Sequence, residues 1–167
     1  MISFDNAGSP HRSPVDRRPW GQKSLTGEGF AVLGVIAGSS DWYRGRDLHR
    51  ALLDLRDQDF FGRFRQVVLV GSSMGGYGAT AFASLFPGSR LLSFNPQSTL
   101  RRDLVPWDNQ HTNGMKQDWS GLFSDGAAEI AQSAAVYIFY DPFNSFDRRH
   151  AERYTGPNIH FFCGPRF

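Results

Sequence analysis

The stretch from Val67 to Phe86 constrains this chain more than any other. Val67-Val68-Leu69-Val70 is a short, continuous, β-branched apolar run, the pattern of a strand buried on both faces. Ala79 to Phe86 is rich in Ala, Phe and Leu and reads as a buried helix. Between them lies Gly71-Ser72-Ser73-Met74-Gly75, with a serine at the centre and a glycine two residues to either side. A strand that turns at once into a helix holds its corner residue in a strained backbone conformation, so the flanking residues must be small. The corner hydroxyl then stands above the edge of the sheet. The helix behind it begins with free N–H groups and the positive end of its dipole, which suit a developing negative charge.

This strand, serine corner and helix make a nucleophile elbow, with Gly71 and Gly75 as its glycines. Two other glycine-rich loops compete for the stretch. A phosphate-binding loop needs Gly-Lys followed by Ser or Thr, and none follows here. A dinucleotide fingerprint needs G-x-G-x-x-G, a spacing that Gly71, Gly75, Gly76 and Gly78 do not provide.

The rest of the chain repeats the alternation. Further strands are expected at Met1 to Phe4, Phe30 to Ala37, Arg90 to Phe94, Ala135 to Tyr140 and Asn158 to Cys163. Leu48, Leu52, Leu55, Phe60 and Phe64 recur at roughly helical spacing and predict an amphipathic helix over 47–64, with Ser39, Ser40 and Asp41 as candidate caps. Shorter helices are expected near Trp20, over 125–133 and over 148–154. Residues 97–124 lack a periodic pattern and read as a lid or insertion. Strands alternating with helices predict an α/β fold, a three-layer αβα sandwich with a mainly parallel sheet. With 167 residues, a single domain spanning 1–167 is expected.

Composition narrows the class. A net charge of +2 and scattered Arg pairs exclude a nucleic-acid footprint; Arg17-Arg18, Arg101-Arg102 and Arg148-Arg149 read as solvated faces. No apolar run is long enough for a membrane span. No basic segment followed by an apolar one opens the chain, and Cys163 is the lone cysteine, so a cytoplasmic protein without a disulfide is expected. Cys163 itself reads as buried packing. No His, Cys or Asp group has metal-ligand spacing, and neither metal nor cofactor is expected.

The run Ser73-Met74-Gly75-Gly76-Tyr77-Gly78-Ala79, set between its strand and helix, resembles the α/β-hydrolase superfamily, and esterases of that fold in particular. The resemblance covers nearly the whole chain in element order, while the elbow carries the sequence signal. It implies that Ser73 is the nucleophile of a serine hydrolase acting on an ester or related acyl bond of a small molecule, through an acyl-enzyme. It implies an oxyanion site formed by the N–H of Met74 and an N–H from the loop after the first strand, at Asn6 or, alternatively, Asp5. In that family the triad runs Ser, then acid, then His, with the acid after the second strand past the elbow strand. Asp141 takes that position, with Asp147 as its competitor; read alone, an Asp before Pro makes a turn. The family's histidine follows the last strand, and none stands between Gly164 and Phe167. His150, His49 and His11 read as surface residues, His160 as a strand residue and His111 as part of the lid. The chain is therefore expected to be truncated at both ends, with its base beyond Phe167. The alternative is a catalytically impaired or fragmentary hydrolase domain with a binding role. Substrate identity, acyl transfer in place of hydrolysis, and oligomeric state are left open by the sequence.

Overall fold

In a computed structural model, which describes residues 1–8 and 17–165, the alternation expected from the sequence is present. The strands are β1 (Ile2–Phe4), β2 (Leu33–Val35), β3 (Val68–Ser72), β4 (Arg90–Phe94), β5 (Ala135–Tyr140) and β6 (Ile159–Cys163). The helices are α1 (Gln22–Gly27), α2 (Arg46–Asp57), α3 (Met74–Ala81), α4 (Thr112–Met115), α5 (Gly126–Glu129) and α6 (Ser145–Ala151). The strands form one sheet in the order β2-β1-β3-β4-β5-β6, and every pairing is parallel. This is an α/β fold. No helix among the described residues is long and apolar enough to cross a membrane.

Register decides which side chains share a face. Ile2 pairs with Leu69, Leu69 with Leu91 and Leu91 with Val136, so these point the same way. All four are buried, and α3, α5 and α6 lie over their face. Phe4, on that face, stacks on Phe82 just past α3 and meets Tyr43 edge-on. Burying each such side chain stabilises the fold by about 1.5–3 kcal/mol. The opposite face is covered more thinly. Pro19 sits on Gly34 and Trp20 on Phe94, and from Phe94 an aromatic ladder runs through Phe139 to Phe162 across β4, β5 and β6.

Several elements differ from expectation for identifiable reasons. The helix expected over 47–64 stops at Asp57, because Asp59 adopts φ 51 and a 3₁₀ turn over Phe60–Arg63 follows. The strand expected over 30–37 pairs only at Leu33–Val35, since β1 offers three residues to pair with. Gly45 caps α2 in place of Ser39, Ser40 or Asp41, and the Asp41 carboxylate accepts from the N–H of Tyr43 instead. Cys163 is exposed, because β6 is an edge strand.

The strand order reverses between β1 and β3, since the chain leaves β1 for β2 on one side and returns to β3 on the other. In open α/β sheets ligands bind outside the carboxyl ends of the strands at such a switch point. Residue 73 follows β3 directly and stands there.

Two glycines make the corner possible. A Cβ on Gly71 would run into the backbone of Gly75, and a Cβ on Gly75 into the carbonyls of Phe4 and Asp5. Backbone cannot rotate aside as a side chain can. Gly75→Ala is therefore expected to cost at least about 2–3 kcal/mol, in the upper range for overpacking. Urea denaturation checks this, and a loss below about 0.5 kcal/mol would contradict the packing described.

Candidate active site

Ser73 has φ 55 and ψ -119, outside the well-populated regions for a residue with a Cβ. Conformations of this kind cost about 1–3 kcal/mol and persist where neighbours over-determine them. Here the Ser73 N–H donates to the carbonyl of Phe94 (2.8 Å), and its carbonyl accepts from the N–H of Tyr77 (3.0 Å). One bond ties the corner to β4 and the other ties it into α3. Ser73 is half-buried, with its hydroxyl at the carboxyl edge of the sheet.

Met74, fully buried, is the first residue of α3. Its N–H is one of those a helix leaves without an intrahelical acceptor. The end of β1 lies against this turn, which is why Gly75 tolerates no Cβ beside the carbonyls of Phe4 and Asp5. Asn6 follows in the same loop, and its side-chain carbonyl accepts from the N–H of Gly8 (2.9 Å). The loop is pinned by Asp5, whose buried carboxylate pairs with Arg17 (3.0 Å) and accepts from the N–H of Ala37 (3.2 Å). Arg17 is thus an internal ion-pair partner and not the solvated residue its Arg17-Arg18 context suggests.

Asp141 stands at the carboxyl end of β5, two strands from β3. Its carboxylate accepts from the N–H of Phe143 (2.9 Å), the turn expected of an Asp before Pro. Asp147, on α6, is close enough for the two charges to interact. Burial, and next the charge of Asp141, raise the Asp147 carboxyl above its ordinary value, while His111 acts the other way. The structure brings Ser73, Met74 and the β1 loop together; it makes no bond between Ser73 and Asp141.

No described histidine is bonded to Ser73. His11 lies outside the described residues. His160 is exposed and stacks on Tyr137. His49, expected at the surface, is half-buried between Phe82 and Phe123, with Nε2 on the carbonyl of Tyr43 (2.8 Å). His150, also expected at the surface, is 1 % exposed. Its Nδ1 accepts from the N–H of Ser98 (3.2 Å), so Nε2 carries the proton and donates to Asp108 (3.0 Å). The same Asp108 oxygen meets Nδ1 of His111 (3.1 Å), whose ring lies against Trp42. Burial acts to raise the Asp108 carboxyl, but bonds from His111, His150 and the Gln110 N–H hold it well below its ordinary value.

Sequence reasoning missed two other residues. Arg44, buried in the loop before α2, donates to the carbonyls of Asp118 (3.0 Å), Ser120 (3.2 Å), Leu122 (3.1 Å) and Phe123 (2.7 Å). It also lies over the Trp119 ring. Gln97, 5 % exposed, is the side chain that meets the Ser73 hydroxyl, Oγ donating to Oε1 at 3.4 Å. A lone Arg and a lone Gln in irregular segments carry no periodic or spacing signal.

Trp42 and Tyr43, just past the carboxyl end of β2, are buried core residues. A cavity of about 530 Å³ lined by Phe61, Val67, Leu85 and Ser89 opens at the amino edge of the sheet, the end remote from Ser73. Among the described residues no group of three or more His, Cys, Asp or Glu is placed to hold a metal ion. No family model matches the chain, and neither a curated protein nor a solved structure matches it.

Two outcomes follow from these contacts. Arg44→Met removes the donor to four carbonyls and is expected to cost about 2–4 kcal/mol, since buried acceptors lose a charged partner; urea denaturation measures it. The second concerns acid. Burial depresses the His150 imidazole, and Asp108 offsets this only in part. A depressed histidine binds its proton more weakly folded than unfolded, so its stabilising contribution is intact above the unfolded value of about 6.5 and is lost as pH falls below it. Asp108 has the same sign in a lower window, below about 3.9. Stability is expected to fall from pH 7 to 5, and His150→Gln is expected to flatten that interval in denaturation curves taken at each pH.

Proposed function

We propose that this chain is a serine hydrolase of the α/β-hydrolase type, acting on an ester or related acyl bond of a small molecule. The observation that carries the reading is the backbone of Ser73, at φ 55 and ψ -119 between a parallel strand and a helix at the switch point of the sheet. A serine with only a structural role gains nothing from a strained corner that needs glycine at two neighbouring positions.

The chemistry follows from the placement. Ser73 Oγ attacks the acyl carbon while a general base takes its proton, giving a tetrahedral intermediate. The carbonyl oxygen becomes an oxyanion, which accepts from the N–H of Met74 and from an N–H of the loop at Asn6. Collapse expels the leaving group and leaves an acyl-serine, which water then hydrolyses. In a triad of this type the base is an imidazole oriented by a carboxylate, and among the described residues no histidine is bonded to Ser73. Asp141 suits the carboxylate's role by position. Adjacent strands are about 4.8 Å apart, so Ser73 and Asp141 end strands separated by about 10 Å across the sheet. Two hydrogen bonds of about 2.8 Å and an imidazole ring between them fill a span of that order. Acyl transfer to an acceptor other than water uses the same groups.

A second reading has its own support. The Ser73 hydroxyl meets Gln97, not a histidine. A domain that retains the corner without a base would bind an acyl ligand and turn it over feebly.

Reaction with a fluorophosphonate followed by intact mass separates the two. The hydrolase reading expects one adduct per chain, at Ser73, absent in Ser73→Ala. Labelling that persists in Ser73→Ala, or no labelling at all, would sink it.

A further inference from the structure

Gln97 lies in the irregular segment after β4, three residues past Phe94, and is buried. Its position is set by the chain before it. The N–H of Asn95 donates to the carbonyl of Phe139 (2.7 Å), and Asn95 itself adopts φ 43, so the backbone turns sharply as it leaves the sheet. The Phe94 carbonyl takes the Ser73 N–H. The corner and the segment carrying Gln97 are therefore fastened to one another.

The side chain is anchored at one end and aimed at the other. Nε2 donates to the carbonyl of Asn95 (3.3 Å), and Oε1 faces Ser73 Oγ (3.4 Å). The Asn95 bond orients the amide, since a carbonyl oxygen can pair only with the nitrogen end, and that leaves Oε1 toward the serine. A glutamine buried only to satisfy its own turn would need the Asn95 bond alone. The second bond reaches the hydroxyl of the corner serine held at φ 55 and ψ -119.

We propose that Gln97 is a positioning residue for Ser73. In the free protein its Oε1 accepts a hydrogen bond from the Ser73 hydroxyl and fixes Oγ in one rotamer; that bond breaks, and the hydroxyl turns its proton to the base, when a base and an acyl group engage the oxygen. The amide is neutral and a weak acceptor, so it orients the hydroxyl without ionising it. The inference rests on the proposed role of Ser73 for its consequence in reactivity, but the contact itself does not.

Two measurements on the full chain test it. The first is the side-chain amide resonances of Gln97 by NMR, in the wild type and in Ser73→Ala. A shift of these signals, with other glutamine side chains unmoved, is expected; unmoved Gln97 signals overturn the inference whether or not the protein reacts. The second is the pH profile of fluorophosphonate labelling in Gln97→Glu and Gln97→Met. A carboxylate in place of Oε1 can take the proton outright, so Gln97→Glu should add an inflection at or above the ordinary Glu range of about 4.3, raised by burial. Gln97→Met should change the labelling rate without adding one. A Gln97→Glu profile identical to wild type, with Gln97→Met labelling at the wild-type rate, overturns the inference. The two readings fail separately. A wild type that never labels while the Gln97 signals respond to Ser73→Ala removes the hydrolase and keeps the contact. Labelling at Ser73 with silent Gln97 signals does the reverse.

Discussion

The structure depends on a close approach of three backbones. The end of β1, the corner at Ser73 and the first turn of α3 converge where no Cβ fits on Gly71 or Gly75. Ser73 is held at φ 55 by bonds into β4 and α3, and the strain is carried by the packing around it. Because β3 lies centrally, with β1 on one side and β4 on the other, the corner fixes where α3 starts, and α3 is buried along its whole length. The helix then sets the place of Tyr77, Thr80 and Phe82, on which the helical layer is assembled. The Thr80 hydroxyl meets Tyr154, and Phe82 packs between Phe4 and Phe123.

Residues 97–124 use polar bonds where a regular element would use a ladder. Leu100, Val105 and Phe123 anchor the segment in the core. Arg44 takes four of its carbonyls, and the Tyr77 hydroxyl also donates to Phe123. At the other side Ser98, His150 and Asp108 form a buried chain, extended by the bidentate pair of Arg153 with Asp125. Such a network is costly when any member is missing, because each lost partner leaves a desolvated group behind. The segment spans from Trp42, after β2, to Trp107 against α6, and so runs alongside the carboxyl edge where Ser73 stands.

How much was legible follows from which residues carry a repeating or spaced signal. The strands at 90–94 and 135–140 were read to the residue, because they are bounded by Pro, Gly and Asp-Pro and lie inside the sheet. The helix over 47–64 was overrun at its end, since a left-handed Asp59 leaves no trace in apolar spacing. The corner serine and the acidic residue after β5 were legible as motif and position. Gln97, Arg44 and the burial of His150 were not. Each is defined by partners dozens of residues away, and one polar residue in an irregular stretch looks like any other.

The sequence by itself determined the alternation of strand and helix, the parallel sheet and the serine at its corner. Those features are written in local terms: apolar runs, their lengths, and glycines at fixed offsets. Tertiary structure decided what surrounds the serine. It set the strand order that puts the corner at the switch point, turned Gln97 toward Oγ, and buried His150 in an internal bond to Asp108. These outcomes depend on long-range register and on where a buried polar group finds its partner. Desolvation makes such a choice strict in the folded chain, while nothing in the neighbouring residues specifies it.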